Sequence, residues 1–193
     1  MPSAVHFHTG TALAGGLQAL FRQLEERLDL QRPVDVVLAG GMAVHLYTGN
    51  RVTTDVDAEF GARLYLPADL MVEVMLEDGT PQVVYLDTNY NSTFALMHED
   101  YLQDALPLAL GLKHLHVYVL SPLDLAVSKI ARFADNDKED IAALASRGLI
   151  TAEALERRAN EALGGFVGGL GMLRLNIRDA VALARRNEAA GGA

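Results

Sequence analysis

The chain changes character at Ser121. From Pro122 to about Asn187 nearly everything reads as helix, whereas before Ser121 short β-rich runs alternate with helical ones. Strand runs and helix runs each need an apolar partner face, so this order points to an α+β protein. The expected organisation is a core over residues 1–120, with a mixed β-sheet flanked by helices, and a C-terminal helical bundle over residues 121–193 packed on that core. No internal repeat and no heptad pattern is present.

Within the first region, Leu13, Leu17, Leu20, Phe21, Leu24 and Leu28 recur at helical spacing and predict a helix over 11–30. VDVVLAG (34–40) reads as a buried strand ending in glycine, and GMAVHLYTG as a short helix stopped near Gly49 and Asn50. TTDVDAEF alternates and predicts a strand, LPADLMVEVML a helix starting near Pro67, DGT a turn, and PQVVYLD (81–87) a strand. TNYNSTFALMHEDYLQDA reads as a polar loop, then a short strand and a helix, with MHEDYLQDA as the helix start; LHVYVL (115–120) is a further strand. In the second region Ser121, Pro122 and Asp124 form a capped helix start. Leu123, Val127, Ile130 and Ala134 supply its buried stripe, and Lys129 and Arg132 share a face away from it. The terminal EAAGGA is expected to fray.

Composition narrows the classes. The net charge of -9 makes the chain a poor non-specific binder of nucleic acid, because that binding rests on neutralising phosphates. The absence of cysteine rules out disulfides and thiolate metal sites. There is no apolar run long enough for a membrane-spanning helix, and MPSAVHFHTG lacks the basic start and apolar stretch of a signal peptide. A cytoplasmic protein is the expectation.

The chemistry concentrates between Ala39 and Phe60. In a strand, Asp55 and Asp57 share a face, with their origins about 7 Å apart, and could converge on divalent ions. Mg²⁺ takes hard oxygen ligands and is commonly held by one or two carboxylates together with substrate phosphates. Taken alone, the pair suits an exposed strand face better than a metal site. Gly40 and Gly41 follow a strand and open a helix, where backbone can approach a ligand closely and free N–H groups can meet a phosphate. A plain strand-to-helix turn also explains them; no Walker-type lysine follows, and no dinucleotide fingerprint is present. Asp87 ends the strand-like VVYLD, and two strands side by side would bring Asp55, Asp57 and Asp87 together. Alone, Asp87 also reads as a turn aspartate.

Other features have simpler readings. His6 and His8, His45, His98, and His114 and His116 form no convincing ligand set. The glycine-rich ALGGFVGGLGM (162–172) lies among helical patterns and suits close packing or a hinge. Lys129 and Arg132 suit a solvated helix face as well as a phosphate, and Lys138, Glu139 and Asp140 an exposed helix start as well as a second row of one site.

The ordered set is more specific than its parts. Gly40-Gly41, then Arg51, Thr53, Asp55 and Asp57 in R-x-T-x-D-x-D, then Asp87, then SPLDLAVSKIAR and DKEDI resembles the AbiEii-like nucleotidyltransferases of the DNA polymerase β-like superfamily, over roughly residues 34–145. The resemblance implies a nucleotidyltransferase-like fold and transfer of a nucleoside monophosphate from an NTP to a hydroxyl of tRNA or protein, in a family that includes toxins paired with antitoxins. It implies Mg²⁺ (or Mn²⁺) on Asp55, Asp57 and Asp87, with Asp87 also beside the acceptor hydroxyl. Gly40 and Gly41 would hold the triphosphate and Lys129 would contact phosphate, with Arg51, Thr53, Arg132 and Lys138 in support. The family's Lys-Asp pair is interrupted here as Lys138-Glu139-Asp140. A catalytically silent nucleotide-binding or protein-interaction module is the alternative; no membrane association is implied.

Overall fold

The computed structural model describes residues 5–190. It forms two compact units. One takes the described residues up to Tyr90 together with Ala105–Val119, and the other takes Asn91–Asp104 and the described residues from Leu120 onward.

The first unit opens with helix α1 (Ala12–Leu28), started by Thr11, whose hydroxyl accepts the Ala14 N–H. Strand β1 (Val34–Leu38) leads directly into helix α2 (Gly40–Thr48). Short strands β2 (Asp55–Val56) and β3 (Ala58–Phe60) follow, then β4 (Met71–Met75), β5 (Pro81–Leu86), β6 (Leu106–Leu108) and β7 (Leu115–Val119). They make a four-stranded sheet ordered β3-β1-β7-β6 and a three-stranded sheet ordered β2-β5-β4. Both are mixed: β1 runs parallel to β7 and antiparallel to β3, and β2 runs parallel to β5, which is antiparallel to β4. Helix α1 packs on β4 and β5, with Val74 and Val84 against Gly16. The same helix anchors β7, because the Glu25 carboxylate accepts the backbone N–H groups of Lys113 (3.0 Å), His114 and Leu115 (2.8 Å). Burial raises the Glu25 pKa, but those three donors outweigh it and hold the carboxyl below its ordinary value.

The second unit contains helices α3 (Pro122–Ser128), α4 (Asp135–Ser146), α5 (Ala152–Ala162) and α6 (Leu170–Ala190). Helix α4 packs on α6 and α3, and α5 on α6 and α3. Ser121 caps α3 as its sequence implies: its hydroxyl accepts the Asp124 N–H at 3.0 Å and donates to the Asp124 carboxylate at 2.7 Å. Arg158 of α5 then clamps that buried carboxylate through Nε at 2.8 Å and Nη2 at 2.9 Å.

The α+β class stands, and several local expectations do not. LPADLMVEVML holds a strand, β4, rather than a helix; Met71, Glu73 and Met75 are exposed while Val72 and Val74 are half-buried, and that two-residue period outweighs the helix-forming residues around it. TTDVDAEF is two strands in two sheets, because the chain leaves the β5 ladder at Val56 and joins β1 from Ala58. MHEDYLQDA forms turns rather than a helix start, and β6 follows it. Helix α3 ends at Ser128, so the proposed stripe crosses a chain reversal; Val127 and Ile130 are buried, whereas Leu123 and Ala134 are only half-buried. Helix α6 continues through Ala190, which corrects the expected fraying as far as that residue; 191–193 lie outside the described residues.

Candidate active site

Three carboxylates meet where β2 and β5 run out together. The parallel register sets Asp55 beside Tyr85 and Val56 beside Leu86, and the Asp87 N–H extends the ladder by donating to the Val56 carbonyl at 3.0 Å. Asp87 therefore emerges one step beyond Leu86, next to Asp57. One carboxylate oxygen each of Asp55, Asp57 and Asp87 lies within 4.8 Å of the others, and all three residues are half-buried. Like charges this close oppose one another unless a cation or a proton intervenes.

Asp57 occupies the break between β2 and β3, and its carbonyl accepts the Ala39 N–H at 2.9 Å. This bond ties the acids to the β1–α2 turn. Gly40 begins α2 with φ +61°, and a side-chain carbon there would collide with the Asp57 carboxylate. Gly41 is confined less tightly, since a Cβ would sit 2.8 Å from the Thr53 hydroxyl. Both glycines of the pair therefore back onto the acid cluster.

Thr53 is buried and donates to an Asp55 carboxylate oxygen at 2.8 Å, which sets the orientation of that group. Arg51 turns its guanidinium to the Val52 carbonyl at 2.6 Å. Its own carbonyl lies 2.8 Å from His45 Nδ1. A carbonyl only accepts, so Nδ1 carries the imidazole proton and Nε2 accepts from the Thr11 hydroxyl at 2.7 Å. Burial, the largest influence, lowers the His45 pKa and favours this neutral form; the Arg51 carbonyl and Glu77 oppose it only in part. His45 thus fixes the segment that delivers Thr53 and Asp55. Nothing in the sequence marked this role, since a single histidine in an apolar helix gives no sign that its partner is a carbonyl six residues ahead.

The cations of the second unit have partners of their own. Lys129 is buried, against the expectation of an outward face; its ammonium lies 2.8 Å from the Asp140 carboxylate and 3.7 Å from that of Asp137. Arg132 grips Asp137 with two hydrogen bonds of 2.8 Å each, and Asp137 also accepts the Ala134 N–H, closing the start of α4. Burial raises the Asp137 pKa, but Arg132, the Ala134 N–H and Lys129 together hold it below the ordinary carboxylate value. Lys138 pairs with Asp135 at 3.1 Å and lies over the Phe133 ring.

The acid cluster fits a divalent cation. Its donors are hard oxygens, they converge without backbone change, and Thr53 already restrains one of them. Asp55, Asp57 and Asp87 would be the ligands.

A trio of carboxylates beside a glycine-opened helix is an arrangement that could hold a divalent cation against a phosphate. The chain belongs to the family described as nucleotidyltransferase of unknown function (DUF6036), whose model matches residues 15–168. No curated protein and no solved structure matches the chain. No helix among the described residues is long and apolar enough to cross a membrane.

Proposed function

We propose that this protein is a metal-dependent nucleotidyltransferase that moves a nucleoside monophosphate from an NTP to a hydroxyl. The observation that carries the reading is the convergence of Asp55, Asp57 and Asp87 within 4.8 Å, in a member of a nucleotidyltransferase family. Bound at Asp55, Asp57 and Asp87, Mg²⁺ or Mn²⁺ would neutralise charge on the phosphate oxygens. Asp87 takes the proton of the acceptor hydroxyl. The freed oxygen bonds to the α-phosphorus, the bond from that phosphorus to its bridging oxygen breaks, and pyrophosphate leaves with the electron pair. Gly40 and Gly41 open α2 beside the acids, where backbone N–H groups favour the anionic phosphate chain.

Thr53 supports the site by holding Asp55, and Arg51 by the segment that carries them. Lys129, Arg132 and Lys138 are assigned to nucleotide phosphate on the likeness to the AbiEii-like enzymes, although the ion pairs of Lys129 and Arg132 with Asp137 give them a second role in building the start of α4. The same likeness supports a toxin acting in the cytoplasm with a cognate antitoxin; growth arrest on expression, abolished by Asp57→Asn, is its test.

The decisive experiment uses labelled NTPs with Mg²⁺ on wild type and Asp57→Asn. Metal-dependent transfer should vanish in the variant while its melting curve is retained. Full activity in Asp57→Asn overturns the assignment. Nucleotide binding that needs no metal and survives loss of the aspartates identifies a silent binding module.

A further inference from the structure

The face of β4 and β5 turned away from α1 is apolar and exposed, and it runs into the acid cluster. Val74 and Val84 face α1, so by strand alternation Met71, Glu73 and Met75 on β4, and Pro81, Val83 and Tyr85 on β5, occupy the opposite face. Met71 is 55% exposed, Met75 61%, Val83 37% and Tyr85 41%. The register pairs Met71 with Tyr85, Glu73 with Val83 and Met75 with Pro81, so the apolar side chains form one surface. Tyr85 also stands beside Asp55 on β2, and Asp87, two residues on, shares its face. Exposed methionine, valine and tyrosine side chains in register next to an acid site are an unusual expenditure of apolar surface.

We propose that this surface seats the acceptor of the transfer, and that the acceptor is a polypeptide segment presenting a hydroxyl beside apolar residues. The inference rests on the nucleotidyltransferase reading. In-line displacement brings the attacking oxygen in opposite the departing pyrophosphate. Gly40 lies against Asp57, on the β2 side of the cluster, whereas Tyr85 and Met71 continue across β5 to β4 on the other side. With phosphates at the glycines, the hydroxyl arrives over Tyr85. None of the six positions on this face is basic and one is Glu73, in a chain of net charge -9. RNA would find no cation there to neutralise its phosphates, whereas an apolar peptide buries the surface and meets no such cost. The β4 strand also ends its sheet, and a sheet edge is a common template for an extended peptide.

The test offers the full chain, with each labelled NTP and Mg²⁺, two kinds of acceptor. One is synthetic peptides with a single Ser, Thr or Tyr flanked by Leu, Val and Phe or by Gly and Lys. The other is short single-stranded RNA with a free 3′ hydroxyl. Label should enter the apolar-flanked peptides, and Tyr85→Ser should raise their KM about tenfold with kcat and NTP affinity little changed. Labelling of RNA alone, or equal peptide labelling by Met71→Ser/Val83→Thr/Tyr85→Ser, overturns the proposal. Tyr85→Trp introduces the only indole of the chain and reads binding without turnover. Its emission should shift blue with the apolar peptides; no shift overturns the proposal even where neither acceptor is labelled. NTP binding that depends on Asp57 together with RNA labelling removes this inference alone. Absence of metal-dependent NTP binding removes the nucleotidyltransferase reading and this inference with it.

Discussion

Gly40 and Asp57, seventeen residues apart, are in contact: the glycine begins α2 with φ +61°, and the space a side chain would need is filled by the Asp57 carboxylate. Gly40→Ala should therefore fail twice. A non-glycine residue in the left-handed region costs about 1–2 kcal/mol, and the new methyl group must displace Asp57 from the acid cluster. A lowered Tm together with loss of metal-dependent transfer is expected, measured by thermal melting and labelled-NTP assay. Activity intact in a destabilised variant would show that Asp57 need not stay where the glycine holds it.

Thr53 offers a milder lesion. Thr53→Val removes the hydroxyl that orients Asp55 while keeping the shape of the side chain. The apparent metal affinity should fall about 10–100-fold, as is usual when a group supporting a metal ligand is lost. Thr53→Ser should restore most of it. A titration of activity against Mg²⁺ concentration reads both.

His45 predicts a pH dependence of stability. Its folded pKa is depressed, chiefly by burial, below the ordinary 6.5. The unfolded chain therefore binds the proton more readily than the folded one. This contribution is fully present above pH 6.5 and is lost as pH falls below it, through the depressed value. Urea denaturation between about pH 7.5 and about pH 5.5 should show stability falling with acidity, with a shallower slope in His45→Asn.

Lys129 separates two roles. Lys129→Ala leaves Asp137 and Asp140 buried without their ammonium partner, which typically costs about 3–5 kcal/mol. A large fall in Tm with NTP affinity retained marks Lys129 as the tie at the start of α4. Weakened NTP binding at unchanged Tm marks it as a phosphate contact. Lys129→Met, which fills the space without the charge, should still remove the ammonium from the two buried carboxylates and melt low if the tie is its role.

Much of the candidate site is legible in the sequence because its residues lie in short local patterns. Gly-Gly after an apolar run, aspartates one residue apart and a strand-borne aspartate can each be read from neighbours in the chain. The β4 strand was misread because helix-forming residues crowd its start, whereas its period only becomes decisive once α1 covers one face. Helical spacing places Lys129 outward, but α3 stops at Ser128 and the chain turns there, aided by Phe133 at φ +50°. Spacing arguments fail wherever the helix they presume has ended.

The α+β class, the capped start of α3 and the residue types able to carry phosphoryl-transfer chemistry follow from the sequence alone. Local propensity, capping and side-chain chemistry suffice for those. The parallel register of β2 and β5, which end together, arises from the folding of distant segments onto one another. That register unites Asp87 with Asp55 and Asp57 and leaves Tyr85 exposed beside them, while the Ala39 N–H on the Asp57 carbonyl sets Gly40 against Asp57. Strand partnership depends on which faces are buried across long loops, and no local pattern in the chain encodes it.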